Sequence, residues 1–195
     1  TMSTTQEKRN SIIKDLKNLL IWISIALIIR WQVIEPRWIP SGSMLPTLQI
    51  QDKILVEKVT PKITSKSNLS KLKNKIVVFN VPEQLINAGY EADTALIKRV
   101  IGIPGDKVEV RDGNLYLNDI AQKNYVFDKN INYSIGPFIV PEESLWVMGD
   151  NRNNSMDSHI WGFLPYKKVI GKAIFRYWPF NKIGPIRFPA LNNLD

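Results

Sequence analysis

The chain has 195 residues, 44% hydrophobic and 23% charged, the balance of a folded domain with its own core rather than a disordered segment. It holds no cysteine, which excludes a disulfide framework, a thiol nucleophile and thiolate metal sites, and its single histidine, His159, excludes a histidine-rich metal centre. Lys and Arg outnumber Asp and Glu 26 to 18, a net charge of +8 that suits an anionic partner such as lipid headgroups or nucleic acid.

At the amino terminus Lys8, Arg9, Lys14 and Lys17 precede an uninterrupted apolar run, Leu19–Ile29. Its 11 residues make roughly 16 Å of helix, short of a hydrocarbon core of about 30 Å. A wider window, residues 16–34, reaches about 28 Å and places Lys17 and Arg30 near its ends, where they can snorkel, with Trp31 at the interface. The expectation is therefore a cytoplasmic tail over residues 1–15, a transmembrane anchor over 16–34, and a domain over 35–195 on the extracytoplasmic face, periplasmic or lumenal. Two other readings exist. A cleaved leader needs a small-residue site after the run, but Arg30-Trp-Gln-Val-Ile-Glu35 follows it. A buried helix of a soluble domain fits the shortness of the run.

After residue 35 the sequence reads as short strands: 53–59, 76–81, 95–101, 107–110, 114–118, 144–148 and 169–178. Each is rich in β-branched or aromatic residues and most are bounded by Gly, Pro, Asn or Asp. Asp112-Gly113 between two alternating segments signals a tight hairpin. The fold expected is mainly β, an antiparallel domain carried on one N-terminal helix. Between Thr60 and Lys75 lie Lys62, Lys66, Lys71, Lys73 and Lys75 with no acidic residue, which reads as a solvated loop or a contact with anionic lipid. No aromatic residues interleave these lysines, so nucleic acid is not expected as a partner.

Three segments carry potential chemistry. Ile39-Pro-Ser-Gly-Ser-Met-Leu-Pro-Thr-Leu48 sets serines in a tight turn whose backbone N–H groups can face an anion. Leu96-Ile-Lys-Arg-Val-Ile101 puts Lys98 on an apolar strand, where desolvation can turn a lysine into a base near neutrality. Because Lys98 and Arg99 point to opposite faces, a wet face accounts for only one of them. Gly149-Asp-Asn-Arg-Asn-Asn-Ser-Met-Asp-Ser-His-Ile-Trp-Gly162 is dense in short polar side chains, as a functional loop or as a turn bonded to its own backbone.

In this order, the segments resemble the type I signal peptidases, membrane-anchored serine proteases with a Ser–Lys dyad. The resemblance runs from Glu35-Pro-Arg-Trp-Ile-Pro-Ser-Gly-Ser-Met44 through Gln49–Lys58, Lys98–Asp106 and Asp150–Ser158 to Gly171–Pro179. It implies Ser43 as nucleophile, Lys98 as general base, and the Ser41 hydroxyl with the Ser43 N–H as the oxyanion hole. It further implies Ser155 as the residue that orients the lysine, and Asp157, Arg99 and Asp150 as structural support. Ile39, Met44 and Ile97 would line the substrate pockets, with residues 107–142 forming a reduced second β subdomain. His159 stands where many members carry arginine, and its Ile-Trp-Gly sequel looks like the cyanobacterial and plastid branch; Gln51 stands where a glycine is common. The implied substrates are preprotein signal peptides at a lipid surface; no cofactor or metal is expected, and the chain is expected to be monomeric. Two rivals remain open: a self-cleaving repressor-type Ser–Lys protease, and a membrane-tethered binding domain without enzymatic activity. A Ser43–His159 triad with Asp150 or Asp157 is the alternative mechanism.

Overall fold

The computed structural model describes residues 2–63, 66–122 and 130–187. Residue 1 of the expected tail, residues 64–65 of the basic loop, 123–129 of the expected subdomain and 188–195 lie outside the described residues.

A long helix, α1 (Met2–Gln32), leads into β1 (Ile34–Trp38), so Ile34 begins the β domain instead of ending the helix. The helix leaves Leu16, Leu20, Trp22, Leu27 and Ile28 more than half exposed, because none of the other described elements covers its apolar run. Among the described residues, no helix is long and apolar enough to cross a membrane, in keeping with the shortness of Leu19–Ile29.

The strands that follow are β2 (Lys53–Glu57), β3 (Ile76–Asn80), β4 (Ala95–Gly102), β5 (Lys107–Arg111), β6 (Asn114–Leu117), β7 (Ile120–Ala121), β8 (Ile135–Ile139), β9 (Ser144–Met148), β10 (Leu164–Pro165), β11 (Val169–Trp178) and β12 (Gly184–Pro185). They form two sheets. The larger runs β1-β2-β11-β3-β4-β9-β10 with β12 added to β11, and the smaller runs β7-β6-β5-β8; all the pairings are antiparallel. Burial follows from strand position. The central strands β3 and β4 are buried almost throughout and read as apolar runs, broken in β4 only by Lys98 and Arg99, whereas β5 and β6 alternate. At the β5–β6 hairpin Asp112 and Gly113 take φ of 50° and 77°, the left-handed pair that a two-residue turn requires.

Three apolar clusters hold the domain. Phe79, Val100, Val147 and Trp161 lie in one; Ile39, Met44, Ile54 and Ile97 lie in the second; Ile101, Val110, Trp146 and Met148 join the two sheets in the third. Of the basic loop, Lys73 is committed to the fold: its ammonium pairs with Asp106 at 2.9 Å, and Asp106 also accepts from the Ile103 N–H and the Asn118 amide. Gln51 adopts φ 71°, so the turn favoured by glycine forms here with a side chain in the left-handed region.

The long strand β11 is pinned at Gly171, where its register against β3 shifts. A Cβ at Gly171 would lie 2.5 Å from both the Glu57 carbonyl oxygen and Val56 Cγ1. Gly171→Ala should therefore push β11 away from β2 and cost about 1–3 kcal/mol, read as a lower Tm and urea midpoint; an unchanged midpoint would show that the strand pair can absorb a methyl group.

Candidate active site

The turn bearing Ser43 is a single 3-10 turn, Gly42–Met44, entered from an extended Ser41. It is held from outside. The Asn151 backbone N–H donates to the Ser43 carbonyl at 3.0 Å, and the Asn151 side-chain amide donates to the Gly42 carbonyl at 3.1 Å. Asn151 was not foreseen from sequence, where nothing sets it apart from its neighbours in an asparagine-rich segment.

Lys98 lies on β4 and is 4% exposed. Its Nζ donates to Ser43 Oγ at 2.9 Å and to the Ile97 carbonyl at 3.0 Å. Burial lowers its pKa to about 8, and the negative charges of Asp157 and Asp150 oppose that shift. Ser41 Oγ is 3.3 Å from Ser43 Oγ, so a second hydroxyl stands beside Ser43.

Arg99, next along the strand, is buried on the other side. Its Nε and Nη2 each reach an oxygen of Asp150 at 2.7 Å, a bidentate pair, and Nη1 donates to the Asn74 carbonyl. Thr47 Oγ1 adds a 2.6 Å bond to the same carboxylate. Neither member of the Lys98–Arg99 pair faces water: one meets the Ser43 hydroxyl, the other a buried carboxylate.

Asp157 caps the short helix α4, which follows α2 (Val59–Ile63) and α3 (Glu83–Asn87) and covers Ser158–Trp161. It accepts from the Gly149 N–H at 2.7 Å and lies 2.7 Å from His159 Nδ1. His159 is thus the partner of Asp157 that the resemblance left open. The imidazole stacks on Tyr133, centroid to centroid 4.1 Å, and is not among the hydrogen-bond partners of Ser43. The loop is further clasped by Asn153, which accepts from the Asn132 N–H and donates to the Asn130 carbonyl. Ser155 is buried beside Gly149 and the Ser43 carbonyl, where a Cβ on Gly149 would lie 2.2 Å from its Oγ. That Oγ has no hydrogen-bond partner among the described residues, so the expected bond to Lys98 is not made here.

Ile39 and Ile97 line a cavity of about 140 Å³ together with Ile54, Val78 and others. Met44 is not among its lining residues; it is fully buried in the cluster behind. Among the described residues no group of acidic or histidine side chains is arranged to hold a metal ion.

The two buried cations should respond oppositely to removal. Arg99→Met leaves Asp150 buried and uncompensated and should cost about 3–5 kcal/mol. Lys98 has a folded pKa below its unfolded one, so its contribution is unfavourable near neutrality and relaxes as pH rises from about 8 toward 10.5. Lys98→Met should raise Tm at pH 7 and lose that gain at pH 10. Thermal melts of both variants check this; parallel losses would show that Lys98 is not held against its charge.

Comparison with known proteins places the chain in a family. Residues 12–178 match the family described as Signal peptidase, peptidase S26. The chain is 42% identical over 174 residues to a probable signal peptidase I-1 of Synechocystis sp., covering 86% of this chain and 83% of that protein. It is 39% identical over 189 residues to a signal peptidase I of Leptolyngbya laminosa, covering 96% and 90%. A probable thylakoidal processing peptidase 2, chloroplastic, of Arabidopsis thaliana is 41% identical over 178 residues, 89% of this chain but 46% of its own length, so the chain spans about half of that relative. With a family match over most of its length and relatives of comparable size, this chain belongs to the signal peptidase S26 family.

Proposed function

We propose that this chain is a membrane-attached serine endopeptidase that cleaves signal peptides from preproteins, with Ser43 and Lys98 as its dyad. The observation that carries the mechanism is the 2.9 Å contact between Lys98 Nζ and Ser43 Oγ at a lysine whose pKa is lowered to about 8. In the neutral amine the contact reverses, and the Ser43 hydroxyl donates to the lone pair on Nζ. As Oγ bonds to the scissile carbonyl carbon, its proton passes to Lys98. The carbonyl oxygen becomes an oxyanion, within reach of the Ser43 N–H and the Ser41 hydroxyl; one such donor is worth about 3–4 kcal/mol. Collapse breaks the C–N bond, the ammonium protonates the leaving amine, and neutral Lys98 then takes a proton from the water that releases the acyl group. Asp157 and His159 serve each other, which supports the dyad over a triad.

Membrane attachment is supported by the uncovered apolar band of α1, with Lys17 and Arg30 at its ends. The basic residues Arg9, Lys14 and Lys17 ahead of the band favour a cytoplasmic tail and an extracytoplasmic catalytic domain. The domain acts as a monomer in this reading, with lipid and signal peptide as its partners and no nucleic acid.

Cleavage of a preprotein by the detergent-solubilised chain should disappear in Ser43→Ala and equally in Lys98→Ala, since each removes one end of the same proton transfer. His159→Ala should retain a substantial part of the rate. In the wild type kcat/KM should rise with pH through about 8, as Lys98 loses its proton, and level off above it. Loss of activity in His159→Ala with activity kept in Lys98→Ala would reverse the assignment. In sealed vesicles, protease added at the cytoplasmic face should leave residues beyond about Arg37 intact; digestion of the β domain from that side would refute the orientation.

A further inference from the structure

Around β12 lies a cavity of about 350 Å³ whose charged lining residues are all cations: Arg176, Lys182 and Arg187. Arg176 is the fixed one. Its Nε lies 3.1 Å from Asp52, and its Nη2 donates to the carbonyl of Thr47, which lines the same cavity. Lys182 and Arg187 are exposed, and neither makes an ion pair among the described residues. One carboxylate thus answers three cations, and the cavity keeps a positive excess. Beside this charge stands apolar surface that no described element covers. Ile183, a lining residue, is 48% exposed; Phe180 is 74% exposed and sets its ring edge-on to Trp178, centroids 4.6 Å apart. Across the sheet Trp178 stands opposite Lys53, and Lys53 opposite the exposed Trp38. Trp38 and Ile34 are the two ends of β1, about 13 Å apart, and α1 stops just before Ile34.

Cations without carboxylates, set beside exposed aromatic rings, suit the headgroup layer of a membrane, where rings enter the interface and cations meet phosphate. A soluble anion would account for the cavity but not for the uncovered rings next to it. We propose that Arg176, Lys182 and Arg187 form a binding site for the headgroup of an anionic lipid, with Ile183 and Phe180 against the start of its acyl chains. Arg187 offers a planar fork to two phosphate or sulfonate oxygens, and Lys182 a movable point charge. The volume falls within the range of about 300–1,000 Å³ typical of small-molecule sites, more than a bare phosphate fills. Such a lipid would seat the edge of the β domain on the bilayer at a point separate from α1. The assignment rests on the membrane-attached reading above, and it names the lipid class and the site which that reading leaves open.

The test uses the full chain in maltoside micelles, mixed with phosphatidylglycerol or phosphatidylcholine of the same acyl chains. Native mass spectrometry reads the lipid retained, so no readout depends on cleavage. The wild type should hold phosphatidylglycerol about tenfold more tightly than phosphatidylcholine. Lys182→Gln combined with Arg187→Gln should bring that preference to about twofold or less. Each single substitution should fall in between, which keeps the test decisive should the double variant not fold. Lys167→Gln combined with Lys168→Gln makes the same change of charge elsewhere on the chain and should keep the preference. Equal retention of the two lipids, the same preference in the Lys182/Arg187 variant, or an equal loss in the Lys167/Lys168 variant would overturn the assignment. Soluble glycerol phosphate that displaces the lipid at equal concentration would show a site for a free anion and would overturn it as well. Attachment through α1 is read separately, by sodium carbonate extraction of membranes. Release of the chain there, with the phosphatidylglycerol preference kept in micelles, would fell the anchor and leave this site standing.

Discussion

The arrangement depends on a lysine kept away from every carboxylate that could neutralise it. Lys98 is buried within the electrostatic reach of Asp150 and Asp157, and a direct ion pair with either would hold it protonated. Each carboxylate has been given other work. Asp150 is taken up by the Arg99 fork and the Thr47 hydroxyl, Asp157 by the Gly149 amide and the His159 ring. What remains for the ammonium is a serine hydroxyl and a backbone carbonyl, neither of which stabilises charge as a carboxylate would.

This makes the polar residues around the dyad interdependent. Arg99 never touches the nucleophile, but without it Asp150 would be a buried anion in search of a cation, and Lys98 is near enough to be recruited. Gly149 is constrained from two sides, by the Ser43 carbonyl and by Ser155, so the loop can approach the nucleophile's turn only without a Cβ. The geometry of the dyad is therefore a property of the segment 149–159 as much as of the two residues that form it.

Much of this was legible in the sequence. The apolar runs of β3, β4, β9 and β11 mark central strands, and the Asp112-Gly113 hairpin follows from its turn chemistry. Lys98 stands out as a lysine in an apolar strand, whereas Ser43 is singled out from Ser41 only by the resemblance of its segment to a known family. The short pairings were not legible: β7, β10 and β12 are two residues each and leave no periodicity to read. Nor was β8, where Gly136 and Pro137 in sequence argue against a strand that an edge position nonetheless tolerates. Asn151 escaped notice for a different reason. Its role lies in reaching a turn 109 residues away, and no local pattern encodes that distance. The sequence does not say what partners Asp157; the contact with His159 Nδ1 answers that.

The clasp between the small sheet and the catalytic loop has a bearing on how the chain can vary in length. Asn130, Asn132 and Tyr133 reach the loop through Asn153 and His159 just before β8 begins, and the β5–β6 turn packs behind them, where the Ile131 N–H donates to the Gly113 carbonyl at 3.0 Å. Extra residues added at that turn would press on Asn130, since a Cβ on Gly113 would already lie 2.9 Å from the Asn130 Cβ. The same number added between Asn130 and Tyr133 would move a stacked ring and two hydrogen bonds off the loop that shapes the nucleophile. The small sheet is thus tied to the loop around Ser43 both through its first hairpin and through the stretch before β8, so added length at either place would be felt there.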